Sequence, residues 1–231
     1  MDLADNLQSI RQRIAAACLR SNRDPNSVEL LAVTKNHPPE TVNAATALGL
    51  TLFGENRVQE AKAKIPRCSG RLRWHMIGHL QTNKCRETVE LFDAVESVDS
   101  LRLAEELNTR ADLASKRMPI FLEVNIAGEG SKFGYRPELM LEELPRIANL
   151  RRLEIRGLMT VPPYTTDPER VRGSFRQLRE LRDRAEQLLG APLPSLSMGM
   201  SSDFEVAIEE GATLIRIGTA LFGPRAAAPK G

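Results

Sequence analysis

The chain has 231 residues, of which 42% are hydrophobic and 27% are charged, a composition typical of a folded globular protein and not of a disordered one. Its 32 basic and 30 acidic residues are interspersed and leave a formal charge of +2, which disfavours a nucleic-acid-binding surface. The three cysteines, Cys18, Cys68 and Cys85, lie far apart, so neither a disulfide framework nor a zinc site is indicated.

The N-terminal segment MDLADNLQSIRQRI carries charges and lacks the apolar core of a signal peptide, and no later run is long and apolar enough to span a membrane. We therefore expect a cytoplasmic protein. Apolar residues at helical spacing predict an amphipathic helix over residues 3–18, which ends before Asp24-Pro25.

After this helix the sequence alternates between apolar strands and amphipathic helices. Pro38-Pro39 and Gly49 predict the start and the end of the next helix, and apolar positions from Val171 to Leu188 predict a later one. The predicted strands are VELLAVTK (28–35), LTLFG (50–54), LRWHMIG (72–78), FDAVESV (92–98), PIFLEVNIA (119–127), LEIRGLMTV (153–161), LPSLSMG (193–199) and TLIRIG (213–218).

Eight apolar strands, each followed by a helix, favour a parallel sheet covered by helices, and eight strands can close into a barrel. We therefore predict a TIM-type (β/α)8 barrel with an extra N-terminal helix; a doubly wound open sheet is the alternative. The chain is expected to form a single domain over residues 1–231, with a disordered tail at residues 225–231.

Lys35 ends the first predicted strand, at the position where barrels of this type carry their functional groups. The low-dielectric walls of a barrel mouth lower the pKa of a lysine and favour the neutral amine, which can form a Schiff base. The alternative is a strand-end lysine whose ammonium group simply reaches water.

The loops after the seventh and eighth strands are where such barrels commonly bind phosphate. The first contains Gly199, Ser201 and Ser202, followed by a helix that begins at Asp203 and could direct its amides at an anion. The second contains Gly218-Thr219. Helix capping by the serines and a tight turn at Gly218 are the structural alternatives, but both loops at one rim favour a phosphate site.

Arg216 lies between two isoleucines in the eighth strand, so strand alternation places it on the same face as Leu214 and Gly218. A guanidinium has only donors and keeps its protons, so a ring nitrogen facing it must be an unprotonated acceptor. A pyridine held in this way is a weak electron sink. The alternative is an ion pair of Arg216 with Glu123 or Glu154.

Seven motifs occur in order between residues 30 and 223. They are AVTKNHP (32–38), FGENRVQEA (53–61), WHMIGHLQTNK (74–84), EVN (123–125), SKFGY (131–135), GLMTVPP (157–163) and SMGMSSDFEVAIEEGATLIRIGTALFG (197–223). Together they resemble the pyridoxal phosphate homeostasis protein family, which is related to the N-terminal barrel of alanine racemase. No motif core departs from the family's pattern.

The resemblance implies a protein that binds pyridoxal 5′-phosphate (PLP) reversibly, as a Schiff base on Lys35, and that buffers and delivers this cofactor within the cell. The remaining cofactor-binding positions that it implies are Asn56 near the ring, Arg216 facing the pyridine nitrogen, Ser201, Ser202, Gly218 and Thr219 at the phosphate, and Met200 and His79 lining the pocket.

Within the third motif, His75, His79 and Lys84 could form an acid–base cluster, yet two histidines four residues apart also suit packing at a strand end. No third ligand accompanies them, so no metal is expected. Tyr135 in SKFGY is interpreted as a loop aromatic residue and not as a general acid.

Three functions are consistent with these residues: a PLP carrier with little or no turnover, an amino-acid racemase of the alanine racemase type, and a Schiff-base aldolase for phosphorylated sugars. A racemase needs an acid and a base on opposite faces of its substrate. Alanine racemases take one of them, a tyrosine, from a separate C-terminal domain, whereas this chain stops eight residues after Gly223. Unless a partner subunit supplies the missing group, racemisation is expected to be slow or absent, and Arg216 disfavours the aldolase.

The expected partners are PLP itself and, transiently, PLP-dependent apoenzymes. No nucleic-acid or membrane partner is expected, and the chain is expected to be a monomer or a weak dimer.

Overall fold

The structure is a computed structural model that describes residues 2–128, 133–163, 165 and 167–223, so the tail predicted at 225–231 lies outside it. The strands are β1 Glu29–Val33, β2 Leu52–Glu55, β3 Arg73–Met76, β4 Ala94–Val98, β5 Met118–Glu123, β6 Leu153–Met159, β7 Ser195–Ser197 and β8 Leu214–Ile217. The α-helices are α1 Leu3–Arg20, α2 Pro39–Ala47, α3 Val58–Lys64, α4 Cys85–Leu91, α5 Leu101–Leu113, α6 Pro137–Ala148, α7 Arg172–Leu189, α8 Phe204–Glu209 and α9 Thr219–Phe222. None of the helices in these ranges has the length and apolar character that crossing a membrane requires.

The eight strands form one closed parallel barrel. Each strand pairs with the next in sequence, and β8 pairs with β1, where Leu31 lies beside Arg216. Every predicted strand overlaps an observed one. The prediction of a TIM-type (β/α)8 barrel with an N-terminal helix is therefore confirmed, and the open doubly wound sheet is wrong.

Proline and glycine determine where several helices begin and end. α2 begins at Pro39, whose fixed φ suits the first helical position, and the chain leaves this helix through Gly49 at a φ of +87°. α7 ends at Gly190, which adopts the left-handed conformation that glycine tolerates best. These local signals explain why the helix boundaries could be predicted closely.

Side chains of the strands alternate between the inside of the barrel and the layer beneath the helices. The outer layer is the larger apolar core. The inner apolar cluster consists of Leu31, Val33, Leu52, Phe121, Met159 and Leu214. Polar residues share the interior with this cluster, namely His75, Glu96, Ser197 and Arg216. The barrel interior is thus only partly hydrophobic.

Helix α1 packs on α8 and α9, the two helices that follow β7 and β8. Arg13 pairs with Glu205 at 2.7 Å and lies 4.4 Å from the ring centroid of Phe204. At the other end of the contact, Asn6 Nδ2 donates to the carbonyl oxygen of Leu221 at 3.0 Å. The extra helix therefore supports the loops in which a phosphate site was predicted.

Gly157 of β6 lies directly against β7, because a Cβ there would be 1.7 Å from the carbonyl oxygen of Ser195. We expect Gly157→Ala to lower the free energy of unfolding by about 1–3 kcal/mol, since one of the two strands must move. Gly173→Ala in α7 is the matched control: its Cβ would meet no atom within 4 Å, and alanine favours a helix. Equal urea midpoints for the two variants would contradict this account.

Candidate functional site

The nine candidate residues occupy one continuous arc of the barrel. Strands β7, β8, β1, β2 and β3 are consecutive neighbours in the closed sheet, and each contributes at least one candidate residue. Lys35 follows β1, Asn56 follows β2, His79 follows β3, Met200, Ser201 and Ser202 follow β7, Arg216 lies within β8, and Gly218 and Thr219 follow it. Arg216 is buried inside the barrel, whereas the others are half-buried or exposed at its carboxyl end.

A buried ion pair lies directly behind Lys35. Lys64 Nζ donates to the carbonyl oxygen of Thr34 and to Glu55 Oε1, both at 2.7 Å. The Thr34 hydroxyl donates to the same Glu55 oxygen at 2.6 Å. The residue that precedes Lys35 is thus fixed through both its carbonyl group and its side chain.

The residue that follows Lys35 is held by the same group of charges. Glu60 Oε1 accepts from the amide of Asn36 at 2.6 Å and from Lys64 Nζ at 2.8 Å. Asn36 has a φ of +63°, a conformation that costs a non-glycine residue energy and that this bond stabilises. We call Glu55, Glu60 and Lys64 the lysine clamp, because together they fix the backbone on both sides of Lys35.

The two loops predicted to hold phosphate are joined to each other. The hydroxyl of Ser201 accepts from the amide of Ala220, in the first turn of α9, at 3.1 Å. Asp203 precedes α8 and accepts from the amide of Met200 at 2.6 Å. Ser201 therefore does not cap the helix that follows it in sequence, and the two loops form one surface.

Gly199 sets the position of the first of these loops. It has a φ of +94°, and a Cβ there would lie 2.6 Å from the Cβ of Ala207 in α8. Its carbonyl oxygen accepts from the amide of Arg216 at 2.9 Å. A glycine is required here by packing against α8 as well as by the turn.

Arg216 takes part in a chain of hydrogen bonds that crosses the barrel interior. Its guanidinium donates to Ser197 Oγ at 2.6 Å and to the carbonyl oxygen of Thr160 at 2.8 Å. Ser197 Oγ lies 2.5 Å from Glu96 Oε2, and Glu96 Oε1 lies 2.6 Å from His75 Nδ1. We call His75, Glu96, Ser197 and Arg216 the cross-barrel relay.

The relay provides the charge balance that a buried guanidinium needs. Burial lowers the pKa of Arg216, while the carboxylates of Glu96, Glu123 and Asp203 oppose this shift. Burial also disfavours charge on Glu96, but the hydrogen bond and charge of His75, with Arg216 and Ser197, hold the pKa of Glu96 below its usual value. Glu96 is therefore ionised.

Neither carboxylate considered from the sequence is the hydrogen-bonded partner of Arg216. Glu154 pairs with Arg156 at 2.7 Å, and Glu123 acts on Arg216 through its charge. Glu96 and Ser197 were missed, although each is a polar residue inside an apolar strand. The strand alternation that places Arg216 inside the barrel also applies to AVESV (94–98) and SLS (195–197), and there it indicates Glu96 and Ser197.

Glu123, at the end of β5, is a second perturbed acid inside the barrel. Burial, with a smaller contribution from the charge of Asp99, raises its pKa to about 7, and Arg216 opposes the shift. A carboxylic acid with such a pKa exchanges its proton near neutral pH. This acid lies in the EVN motif, and the sequence suggested it only as an alternative ion-pair partner of Arg216.

His75, His79 and Lys84 do not form a cluster. His75 belongs to the relay, His79 Nδ1 lies 3.1 Å from Asp99 Oδ2, and Lys84 pairs with Glu87 at 3.5 Å. The ring of His79 stacks on Phe133 at a centroid distance of 3.6 Å. The acid–base cluster considered for this segment is therefore wrong.

Tyr135 is a buried core residue. Its hydroxyl donates to Glu143 Oε2 at 2.9 Å, and burial together with this carboxylate raises the pKa of the phenol. The sequence suggested a loop aromatic residue and not a general acid; the residue instead packs into the core, and the bond to Glu143 occupies its hydroxyl. Among the described residues, no group of three or more His, Cys, Asp or Glu side chains could hold a metal ion.

The fold and the site together define a class of barrel, the alanine racemase N-terminal domain, whose family model matches residues 3–226. The alanine racemase of Clostridium difficile shares the fold at a TM-score of 0.75 and 15% identity, and this chain covers 58% of its length.

Two more similar proteins narrow this class. The pyridoxal phosphate homeostasis protein of Aquifex aeolicus is 44% identical over 226 residues, which cover 97% of this chain and 99% of that protein. The structure of PipY from Synechococcus elongatus with PLP bound has a TM-score of 0.85 and 40% identity, covering 96% of this chain and all of that one. The chain belongs to the pyridoxal phosphate homeostasis protein family.

The lysine clamp predicts a large effect of Lys64→Met on stability. Glu55 is fully buried, its pKa is already raised by burial, and Lys64 is its only cationic partner among the described residues. Removing the ammonium group leaves a buried carboxylate without a counter-charge, which costs about 3–5 kcal/mol of unfolding free energy. Lys62→Met is the control, because the ammonium of Lys62 is exposed and water screens its pair with Glu87, so its loss should change stability little. Similar losses in the two variants would contradict the role of the clamp.

The raised pKa of Glu123 predicts a pH-dependent gain of stability on Glu123→Gln. The folded protein binds a proton at this site more tightly than the unfolded chain does, so wild-type stability falls as pH rises from about 4.5 to about 7. Glutamine does not ionise, so the variant should become more stable than the wild type by up to about 3 kcal/mol above pH 7. Urea unfolding at several pH values measures this difference, and a difference that does not change with pH would contradict it.

Proposed function

We propose that this protein binds PLP, with Lys35 as its covalent attachment point, and serves PLP homeostasis with little or no catalytic turnover. The observation that carries the proposal is the arrangement of Lys35 and the two joined loops on one arc of the barrel rim. The 40% identity to PipY, whose structure has PLP bound, supports the same ligand.

An unsatisfied polar atom at the rim supports the fit of this ligand. Asn56 Oδ1 is buried and has no hydrogen-bond partner among the described residues. A buried acceptor of this kind is costly unless a donor reaches it. Gly78 allows the loop after β3 to approach here, since a Cβ on it would lie 2.4 Å from the carbonyl oxygen of Asn56. A hydroxyl group on a pyridine ring could supply the missing donor.

Bound PLP would supply an aldehyde carbon that a primary amine can attack with loss of water. Lys35 is the amine at the end of β1, and the lysine clamp fixes the backbone on both sides of it. A fixed backbone limits the positions that its amine can reach. The clamp therefore directs the lysine toward one attachment geometry.

Arg216 would face the ring nitrogen, and Ser201, Ser202, Gly218 and Thr219 would hold the phosphate. Arg216 keeps its protons on the guanidinium and offers only donors, so the ring nitrogen opposite it must accept. Met200 and His79 would line the pocket. An unprotonated ring withdraws electrons weakly, which supports a carrier over an enzyme that needs a stabilised carbanion.

The racemase alternative needs a second proton-transferring group opposite Lys35. The hydroxyl of Tyr135 is committed to Glu143 in the core, which disfavours this tyrosine as the second group. The likeness to alanine racemase is at 15% identity and supports the fold alone. An aldolase would have no use for the buried Arg216. We therefore rank carrier, racemase and aldolase in that order.

We also propose that the protein works in the cytoplasm as a monomer or weak dimer. It would pass PLP to apoenzymes during transient contacts, and it would need neither a nucleic acid nor a membrane as a partner. The near-balanced charge of the chain is consistent with the absence of such partners.

Lys35→Ala should abolish the covalent adduct while leaving weak phosphate-dependent binding through Ser201, Ser202 and Thr219. Borohydride treatment of the PLP-loaded protein, followed by mass spectrometry of the peptide that contains residue 35, measures the adduct. Lys62→Met is the control and should keep it, because this lysine lies on the exposed face of α3. An undiminished adduct in Lys35→Ala would remove Lys35 from the proposal. Rapid alanine racemisation by the loaded wild type would make the protein an enzyme.

A further inference from the structure

We propose that the cross-barrel relay makes His75 a proton sensor for the ring end of the cofactor site, acting through Glu96 and Ser197 on Arg216. This inference rests on the proposed function, since it assigns Arg216 to the bound ring. His75, Glu96 and Ser197 are positioning residues, because they act on the cofactor only through Arg216.

The direction of each hydrogen bond in the relay follows from the donors available. Arg216 can only donate, so Ser197 Oγ accepts from it at 2.6 Å and directs its own proton to Glu96 at 2.5 Å. The ionised Glu96 can only accept, so His75 must carry a proton on Nδ1. Nε2 remains as the position at which His75 gains or loses its second proton.

His75 is one of the residues that line a cavity at the end of the barrel opposite Lys35. This cavity has a volume of about 970 Å³ and is bounded by the N-terminal ends of the strands and by α1. Phe121 and Leu214 form part of its inner wall beside His75. Protons can therefore reach the imidazole without passing through the cofactor site.

Two sets of charged groups surround His75. Within the barrel they are Glu96 from β4, Arg216 from β8 and, farther toward the rim, Glu123 from β5. Around the cavity they are Arg11, Glu29, Arg73, Asp93 and Arg156. Glu29 pairs with Arg73, and Arg156 pairs with Glu154, so the charges around the cavity largely cancel. Glu96 is the only one of these groups that is hydrogen-bonded to the ring, within the part of the chain that the structure describes.

The proton state of His75 changes how far the charge of Arg216 is balanced. With a neutral imidazole, Glu96 balances Arg216 through Ser197. With an imidazolium, Glu96 is shared between two cations, and the guanidinium attracts an anionic ligand and an accepting ring nitrogen more strongly. Protonation of His75 should therefore preserve affinity for PLP as pH falls.

The test compares dissociation constants for PLP at about pH 8 and about pH 5, the range in which an imidazole titrates. The variants are His75→Phe, which removes the titrating group, and Ser197→Ala, which interrupts the relay. For each, the ratio of its dissociation constant to that of the wild type should rise roughly threefold to tenfold as pH falls. Taking the ratio removes any pH dependence that the wild type and the variants have in common, such as that of the phosphate group of PLP.

Ser195→Ala is the matched control. Ser195 lies two positions before Ser197 on the same strand, lines the cavity, and its side chain has no hydrogen bond to the relay among the described contacts. Its ratio should stay constant with pH. A constant ratio for His75→Phe and Ser197→Ala, or an equal rise for Ser195→Ala, would overturn the inference. Urea midpoints of all three variants establish that they are folded.

A second measurement uses the cofactor-free protein. Nitrogen NMR of the wild type should show the neutral ring of His75 protonated at Nδ1, and Glu96→Gln should lose this preference. An Nε2-protonated ring in the wild type would overturn the relay. If the wild type fixes no PLP on Lys35, the proposed function and this inference fail together. If it does and the ratios stay constant, only the inference fails.

Discussion

A guanidinium buried inside the barrel is the constraint around which the interior of this protein is organised. Arg216 cannot lose its charge in any environment that a protein offers, so the barrel must supply acceptors and a counter-charge. The carbonyl oxygen of Thr160 and the hydroxyl of Ser197 accept from it, and Glu96 on the opposite wall provides the charge. This requirement explains why polar residues occupy positions that most barrels of this type fill with branched aliphatic side chains.

The lysine clamp also supplies a counter-charge for a buried charged group, on the outer face of the barrel sheet. Glu55 is buried beneath α3, outside the barrel, and pairs with Lys64 at the end of that helix. The bonds of these two residues fix the chain next to Lys35. Buried ion pairs contribute little net stability, but they fix geometry when every donor is used. The barrel wall thus carries a buried charge network on its inner face, which ends at Arg216, and another on its outer face, which ends at the two neighbours of Lys35.

The sequence predicted the barrel because the features involved are local. Apolar runs, the prolines at the start of α2 and Gly49 just after it each act within a few residues, and the order of such signals along the chain indicates eight repeating units. Lys35 and the two loops followed from the position of strand ends. The clamp and the relay could not be predicted in the same way. The clamp depends on how α3 packs against the end of β1, and the relay joins residues of β3, β4, β7 and β8. The pair of Glu96 and Ser197 spans 101 residues of sequence, and only barrel closure brings these residues together.

The packing of α1 on α8 and α9 affects the order in which the chain folds during its synthesis. Helix α1 is made before the barrel strands, yet Leu221, the partner of Asn6, lies 215 residues later, and β1 must likewise wait for β8. During translation the apolar face of α1 has no native surface to cover it, and the barrel remains an open, curved sheet. Closure, in which β8 pairs with β1, is therefore a late step. The two loops proposed to bind phosphate, which follow β7 and β8, acquire their final shape only in that step.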